Sequence, residues 1–207
     1  MKLRAANTRG IMKQSWIESL RTFSNNDYWN PKYMNWNCVK VINDDTQQPG
    51  GMVPNHEHKN YDILGYVVEG ELEHTDSLGN VNRARAGQIQ HMWCGKSIWH
   101  TEKCIGNTPA RYLQLWITPK RNLNSNPSYQ VIDKGPEFAP IPVEFNQDIT
   151  VSGGLLTTPY TTRKAYLYVV SGSCTVNGQM MNQGDGAELE NETIIPIDSP
   201  HLLLFEL

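Results

Sequence analysis

The chain contains an internal repeat, and this repeat limits the possible folds more than any other feature of the sequence. Residues 66–70 (Tyr-Val-Val-Glu-Gly) match residues 168–172 (Tyr-Val-Val-Ser-Gly). Further along each half, residues 109–116 resemble residues 200–205. Two similar units within 207 residues indicate a duplicated fold.

Each unit has the pattern of antiparallel β-structure. Short runs rich in Val, Ile, Tyr and Trp, such as residues 63–68 and 111–117, are separated by turns that contain Gly, Asn and Pro. Since this turn frequency is typical of sandwiches and barrels, we predict an all-β protein made of two β-barrels. Residues 119–130 are polar and rich in turn residues, and we interpret them as the connection between the barrels. Residues 1–25 give no clear secondary structure.

The bulk properties exclude several functional classes. The net charge is −3 and the basic residues are scattered, so we expect no nucleic-acid surface. The chain has no run of eighteen apolar residues and no apolar core of a signal peptide near its start, so we expect a cytoplasmic protein without a membrane span. A sulfur-ligated zinc site is not expected, because the four cysteines form no Cys-x-x-Cys pair: Cys38, Cys94, Cys104 and Cys174.

Two pairs of metal-ligand side chains have the same spacing. His56 and His58 are separated by one residue, as are His100 and Glu102. Side chains at positions i and i+2 of a strand share a face, so each pair presents two ligand atoms side by side. Three imidazoles and one carboxylate suit a first-row divalent metal with one or two coordination positions open. A single His-x-His is weak evidence, but two such pairs, using three of six histidines, favour a metal site.

The second unit lacks this set of ligands. The repeat aligns the four ligand positions with residues that are poor metal ligands, and this predicts that the second unit binds no metal. These residues are Thr158, Tyr160, Asn191 and Thr193.

Residues 20–118 resemble the pirin family of the cupin superfamily. The shared motifs follow the family's order over about a hundred residues, whereas the second half of the chain matches only loosely. The matching residues are Thr22-Phe-Ser24, Val41-Ile-Asn43, Pro49-Gly-Gly51, His56-x-His58, Tyr66-Val-Val-Glu-Gly70, Glu73-His-x-Asp76-Ser-x-Gly79, Ala86-Gly87, Gln90-x-Met92, Gly95, His100-x-Glu102 and Leu113-Gln-Leu-Trp-Ile117.

The resemblance implies a bicupin, in which two antiparallel β-barrels of the jelly-roll (double-stranded β-helix) type pack face to face. Residues 1–122 would form a metal-binding cupin domain and residues 123–207 a degenerate one without metal ligands. The family's four ligands fall on His56, His58, His100 and Glu102. Fe(II) is the usual assignment in pirins, although this ligand set would also accept Ni, Mn, Co, Cu or Zn. We expect a monomer.

The resemblance also implies a reaction, because bacterial pirin-like proteins often show quercetin 2,3-dioxygenase activity. The substrates would be a flavonol-like aromatic compound and O2, and the central ring of the flavonol would open. Glu102 would serve as a ligand and as the general base for the 3-hydroxyl group. Four residues are candidates for the substrate pocket, each with barrel core as its alternative: Met92, Trp93, Trp99 and Tyr66.

A second hypothesis remains open. Eukaryotic pirins are proposed to be non-catalytic regulators that respond to the oxidation state of their metal and bind a protein partner. The chain also departs from the common family pattern around the presumed mouth of the pocket, for example at Glu57, Lys96 and Ser97. These departures leave the ligands in place but bear on the choice of substrate.

Overall fold

The computed structural model describes residues 1–121 and 124–207 and confirms an all-β protein. Within these ranges the chain forms strands and one short 3-10 helix, Ala6–Thr8, without an α-helix. The described residues divide into two compact units. Unit 1 comprises Met1–Arg9, Gly135–Pro142 and Asp148–Leu207, and unit 2 comprises Gly10–Lys134 and Val143–Gln147. In the described ranges, no helix has the length and apolar character needed to cross a membrane.

Unit 2 contains two antiparallel sheets. The larger sheet has seven strands in the order β12-β9-β6-β11-β4-β3-β2. They are β2 Gly10–Lys13, β3 Ile17–Arg21, β4 Val39–Gln47, β6 Asp62–Glu69, β9 Gln88–Trp93, β11 Ala110–Ile117 and β12 Ser128–Asp133. The smaller sheet has the order β5-β10-β7-β8. Its strands are β5 Met52–His58, β7 Glu71–Asp76, β8 Val81–Arg85 and β10 Ile98–Cys104.

Unit 1 is built on a single six-stranded sheet in which β15 and β17 are long strands that pair with each other in two stretches. The order is β13-β14-β17-β15-β16, and β1 also pairs with β17. The strands are β1 Lys2–Arg4, β13 Ala139–Pro140, β14 Thr150–Leu155, β15 Tyr160–Val176, β16 Gln179–Asn182 and β17 Gly186–Glu206.

Strand alternation defines the interior of unit 2. Ile63 and Val67 of β6 belong to two buried apolar clusters that contain residues from both sheets. Leu64 and Tyr66, at the alternate positions, are buried on the opposite face of the larger sheet. The space between the two sheets is therefore the interior of the barrel, and it is the space into which functional side chains of β5 and β10 can point.

The structure differs from the sequence-based expectation in the segment between the units. Ser128–Asp133, part of which we interpreted as connection, is a strand that pairs with β9 and completes the larger sheet of unit 2. Tyr129 and Val131 share one face of this strand, but Ile132 interrupts the alternation and the polar residues before the strand concealed this short pattern. The predicted boundary between residues 122 and 123 lies outside the described residues. One division of the chain at that boundary would also not produce the two compact units, because residues 1–9 belong to the same unit as the second repeat.

The repeated glycines explain why the two halves share a motif. Gly70 and Gly172 both have φ of +74°, a conformation that L-residues with a side chain rarely adopt. Each of them also lies against the repeated proline segment. A Cβ at Gly70 would lie 2.6 Å from the carbonyl oxygen of Pro109, and one at Gly172 would lie 3.1 Å from the Cα of Pro200. The repeat therefore preserves a turn together with the strand that packs against it.

Gly70→Ala is expected to lower the free energy of unfolding by about 2–5 kcal/mol, because it adds a clash to the cost of a left-handed backbone. Gly79→Ala is the matched control, since Gly79 has φ of +88° and no atom lies within 4 Å of the position that its Cβ would occupy. It should lose only the backbone contribution of about 1–2 kcal/mol. Urea unfolding of the two variants measures the difference, and equal losses would contradict the packing argument.

Candidate metal centre

Three imidazoles meet in the interior of unit 2. His56 and His58 lie on β5, and His100 lies on the neighbouring strand β10, directly opposite His56 in the ladder. The Nε2 atom of His56 is 2.9 Å from Nε2 of His58 and 3.2 Å from Nε2 of His100. The i, i+2 spacing on one strand and the register of the next strand thus bring three ring nitrogens to one point.

The protonation states of these rings suit a metal ion. His56 donates its Nδ1 hydrogen to the carbonyl oxygen of Pro54 at 2.9 Å, which leaves Nε2 with its lone pair. Burial lowers the pKa of His58 to about 4, with a further contribution from His56. The pKa of His100 is lowered to about 2. Burial is the largest cause, and the proximity of the other histidines adds to it. Neutral imidazoles with converging lone pairs are the form in which histidine binds a divalent metal.

Glu102 lies on the same face of β10, beyond a shift in the register of its pairing with β5. Its carboxylate accepts a hydrogen bond from Gln114 Nε2 at 2.9 Å and a longer one from Gln90 Nε2 at 3.5 Å. The pKa of Glu102 is raised to about 7. Burial is the largest cause and the nearby carboxyl of Asp45 adds to it, whereas the hydrogen bond from Gln114 opposes the shift. A divalent cation would supply the positive charge that this buried carboxylate needs.

Among the residues that the structure describes, the potential ligand atoms form two groups that share His100. One group consists of His56, His58 and His100, and the other of His74, His100 and Glu102; within each, the atoms lie within 4.8 Å of one another. Glu102 therefore lies beside His100, and His74 lies near both of them. Both groups lie in unit 2. The donor set of imidazole nitrogens and a carboxylate oxygen suits a divalent metal.

The four residues predicted for the substrate pocket have different placements. Met92 packs in the interior cluster, which also contains Ile63. Tyr66 and Trp93 alternate to the opposite face of the larger sheet, where the indole Nε1 of Trp93 donates to the hydroxyl of Ser125. Trp99 is 45% exposed and precedes His100 on β10, so it faces away from the interior. We therefore retain only Met92 in the proposed pocket, since closeness in sequence to a ligand does not decide which face a strand residue occupies.

Trp116 is an aromatic residue that contacts His58 from the other sheet. Its ring lies 4.7 Å from that of His58 and 5.3 Å from that of Tyr61. The buried Nε1 of Trp116 has no hydrogen-bond partner within the described part of the chain. Trp116 shares a face of β11 with Gln114, the hydrogen-bond donor to Glu102, but only the structure shows that this face points to the histidines.

A further set of buried polar side chains surrounds the ligands. The sequence predicts that His74 is a hairpin residue with local hydrogen bonds, and its Nε2 does lie 2.9 Å from Asp76 Oδ2. Its ring also stacks on that of Tyr129, with centroids 3.9 Å apart. Tyr129 in turn donates to Gln90 Oε1 at 2.7 Å. No sequence pattern indicates this role for Tyr129, because it lies on the strand that we interpreted as connection.

Comparison with known proteins assigns the family. The family model described as pirin matches residues 3–117, and the one described as the quercetinase C-terminal cupin domain matches residues 143–207. The chain belongs to the pirin family. Its fold is that of the family's bicupins, which confirms the resemblance and the fold class inferred from the motifs.

Several members of the pirin family are similar to the chain over almost its whole length. A quercetin 2,3-dioxygenase of Escherichia coli K12 is 32% identical, with 99% of this chain and 97% of the relative covered. A pirin-like protein of Caulobacter vibrioides is also 32% identical, with 91% and 90% covered. The crystal structure of the bacterial pirin YhhW from Escherichia coli in complex with nickel(II) superposes with a TM-score of 0.91 at 31% identity, covering 99% of this chain and 97% of that one.

Proposed function

We propose that the chain binds one divalent metal ion, Fe(II) in the cell, and uses it to cleave the central ring of a flavonol such as quercetin with O2. The proposal rests on three imidazole nitrogens that lie close enough together to bind one metal ion, beside a buried carboxylate. The ligands would be His56, His58, His100 and Glu102. The name of the Escherichia coli relative and the nickel(II) in the YhhW structure support the reaction and the site, respectively.

Glu102 is proposed to be both a ligand and the general base. When bound, the metal would acidify the 3-hydroxyl of a flavonol that chelates it through the hydroxyl and the 4-carbonyl. Burial raises the pKa of Glu102 and so makes its carboxylate more basic than an exposed one, as the role of a general base requires. Gln114 holds one carboxylate oxygen at 2.9 Å and so keeps Glu102 oriented toward the site.

The surroundings of the histidines suit a flat, oxygen-bearing aromatic ligand. Met92 and Trp116 supply apolar surface near the rings, and such surface excludes water from a bound substrate. The unsatisfied N–H group of Trp116 would gain a partner from a hydroxyl or carbonyl oxygen. A flavonol carries both groups.

A basic cleft in unit 2 supports a substrate with several oxygen atoms. The cleft has a volume of about 400 Å³, and its lining includes Lys59, Tyr61, Lys120 and Arg121. Tyr61 connects it with the metal centre, because its ring packs on Trp116 beside His58. The cationic side chains around this opening, among which Lys59 also pairs with Glu57, can donate hydrogen bonds to the outer hydroxyl groups of a flavonol.

Purification under anaerobic conditions is expected to yield about one metal ion per chain, and the loaded protein is expected to consume O2 as the flavonol absorbance of quercetin decays. Metal analysis and an oxygen electrode measure the two quantities. Metal without turnover would refute the proposed reaction and favour the alternative function, a metal-binding regulator with a protein partner. Failure to bind any metal under conditions that load other cupins would refute the site itself.

A further inference from the structure

His74 links the proposed ligand His100 to the carboxylate of Asp76. His100 Nδ1 lies 3.3 Å from His74 Nδ1, and His74 Nε2 lies 2.9 Å from Asp76 Oδ2. All three side chains are buried, and His74 and His100 are each only 1% exposed. The register of β7 and β10 produces this arrangement, since His100 lies opposite Asp76 and Glu102 opposite His74.

The positions of the hydrogens in this chain of contacts follow from its last member. A carboxylate only accepts hydrogen bonds, so His74 carries a hydrogen on Nε2 and donates it to Asp76. If His100 binds a metal through Nε2, its ring hydrogen is on Nδ1, so His74 Nδ1 must accept that hydrogen and the His74 ring is neutral. The Nδ1 of a neutral His74 is then an acceptor, and His100 donates to it from Nδ1. His100 consequently presents the lone pair of Nε2 toward Nε2 of His56.

We propose that Asp76 and His74 are positioning residues that hold His100 in the tautomer required for metal binding through Nε2. This inference rests on the proposed metal site and adds to it a second layer of residues that acts through His100. Hydrogen bonds to the second ring nitrogen are the usual means by which proteins orient a histidine ligand and set its tautomer.

Asp76 is itself held in one orientation. Its Oδ1 accepts hydrogen bonds from the backbone N–H groups of Leu78 at 2.9 Å and Asn80 at 3.1 Å. In an Asp76→Asn variant, the amide oxygen would have to occupy this position to keep both bonds. The NH2 group would then face His74 Nε2 and make it an acceptor. It would also face the side-chain amide of Asn80, which donates to Asp76 Oδ2 at 2.9 Å in the parent and would have to rotate to present its oxygen.

That single change reverses every hydrogen bond in the relay. His74 would carry its hydrogen on Nδ1 and donate it to His100 Nδ1. His100 would therefore carry its own hydrogen on Nε2, the atom that should bind the metal. The variant has almost the same shape as the parent, so its effect on metal binding reports the tautomer and not a cavity.

The test is the affinity for Co(II), measured anaerobically by competition with a chelator and followed by the visible absorption of the bound ion. Asp76→Asn is expected to weaken Co(II) binding by about 10- to 100-fold, the range found when a hydrogen-bond partner of a ligand is lost. The matched control is Asp62→Asn. Asp62 pairs with His91 at 3.0 Å in an equally buried pair that faces away from the barrel interior, so this variant should bind Co(II) like the wild type.

A double-mutant cycle separates positioning from a purely structural role. His74→Phe keeps a flat ring beside Tyr129 but removes the relay, so adding Asp76→Asn to it should change the Co(II) affinity no further. Nitrogen NMR of the metal-free protein provides a second readout, because the ring nitrogen of His100 that carries the hydrogen should be Nδ1 in the wild type and Nε2 in Asp76→Asn. Wild-type affinity in Asp76→Asn, or additive losses in the cycle, would overturn the relay alone. A wild-type protein that fails to bind Co(II) would overturn both the relay and the metal site.

Discussion

His100→Ala is expected to lower the affinity for a divalent metal by about 10²–10³-fold. This factor corresponds to about one quarter of the binding free energy of a structural zinc site, since one of four ligands is lost. His100 belongs to both groups of ligand atoms, so its removal leaves neither group complete. The flavonol-cleaving activity should fall in proportion to the metal content. Metal analysis after anaerobic purification, together with titration of the metal-free protein, measures the effect.

The control for this variant is His91→Ala. His91 is also a buried histidine, at 6% exposure, but it pairs with Asp62 on the opposite face of the larger sheet. It should lose stability through the cavity and the unpaired carboxylate while keeping its metal. If His100→Ala still retained about one metal per chain, His100 would not be a ligand, and the site would have to be built from other residues.

Glu102→Gln is expected to separate catalysis from metal binding. The substitution removes the charge and the basicity of the side chain but almost preserves its shape, and loss of a general base costs about 10²–10⁴-fold in rate. The affinity for the metal should fall by a much smaller factor than the reaction rate, because all three imidazoles remain. Quercetin turnover at saturating metal measures the first effect, and titration of the metal-free protein measures the second.

Glu57→Gln is the matched control for the loss of a carboxylate. Glu57 lies between His56 and His58 on β5 but faces outward, where it accepts a hydrogen bond from Ser97 and pairs with Lys59. Its removal should leave turnover and metal content unchanged. Full activity in Glu102→Gln at saturating metal would show that the proton of the substrate goes to another group.

The sequence allowed the fold class and the convergence of the histidines to be predicted for the same reason. Both depend on the period of two along a strand, which His56 and His58 display directly. The repeat was similarly informative, because Gly70 and Gly172 occupy the same strained conformation against the same neighbouring segment. The role of Glu102 remains a prediction, since the family resemblance and its burial support it together.

Other features depend on three-dimensional information that no local pattern contains. Trp93 and Trp99 flank the ligands in sequence but alternate away from the interior, whereas Trp116 reaches His58 from a strand of the other sheet. Tyr129 lies in a polar segment that the sequence could not distinguish from a connection. The departures at Glu57 and Ser97 contact each other on the outer side of β5, where Ser97 donates a hydrogen bond to Glu57.

The pairing of β1 with β17 has a consequence for how the protein is made. Lys2 lies opposite Glu188 in the ladder, so β1 leaves the ribosome long before the strand beside which it belongs. At the usual rate of synthesis, the roughly 185 intervening residues take about 10–40 s to appear. During that interval β1 lacks its partner strand, while unit 2 can already form most of its sheets. Translation therefore imposes an order in which nearly all of unit 2 is synthesised before β1 can pair with β17.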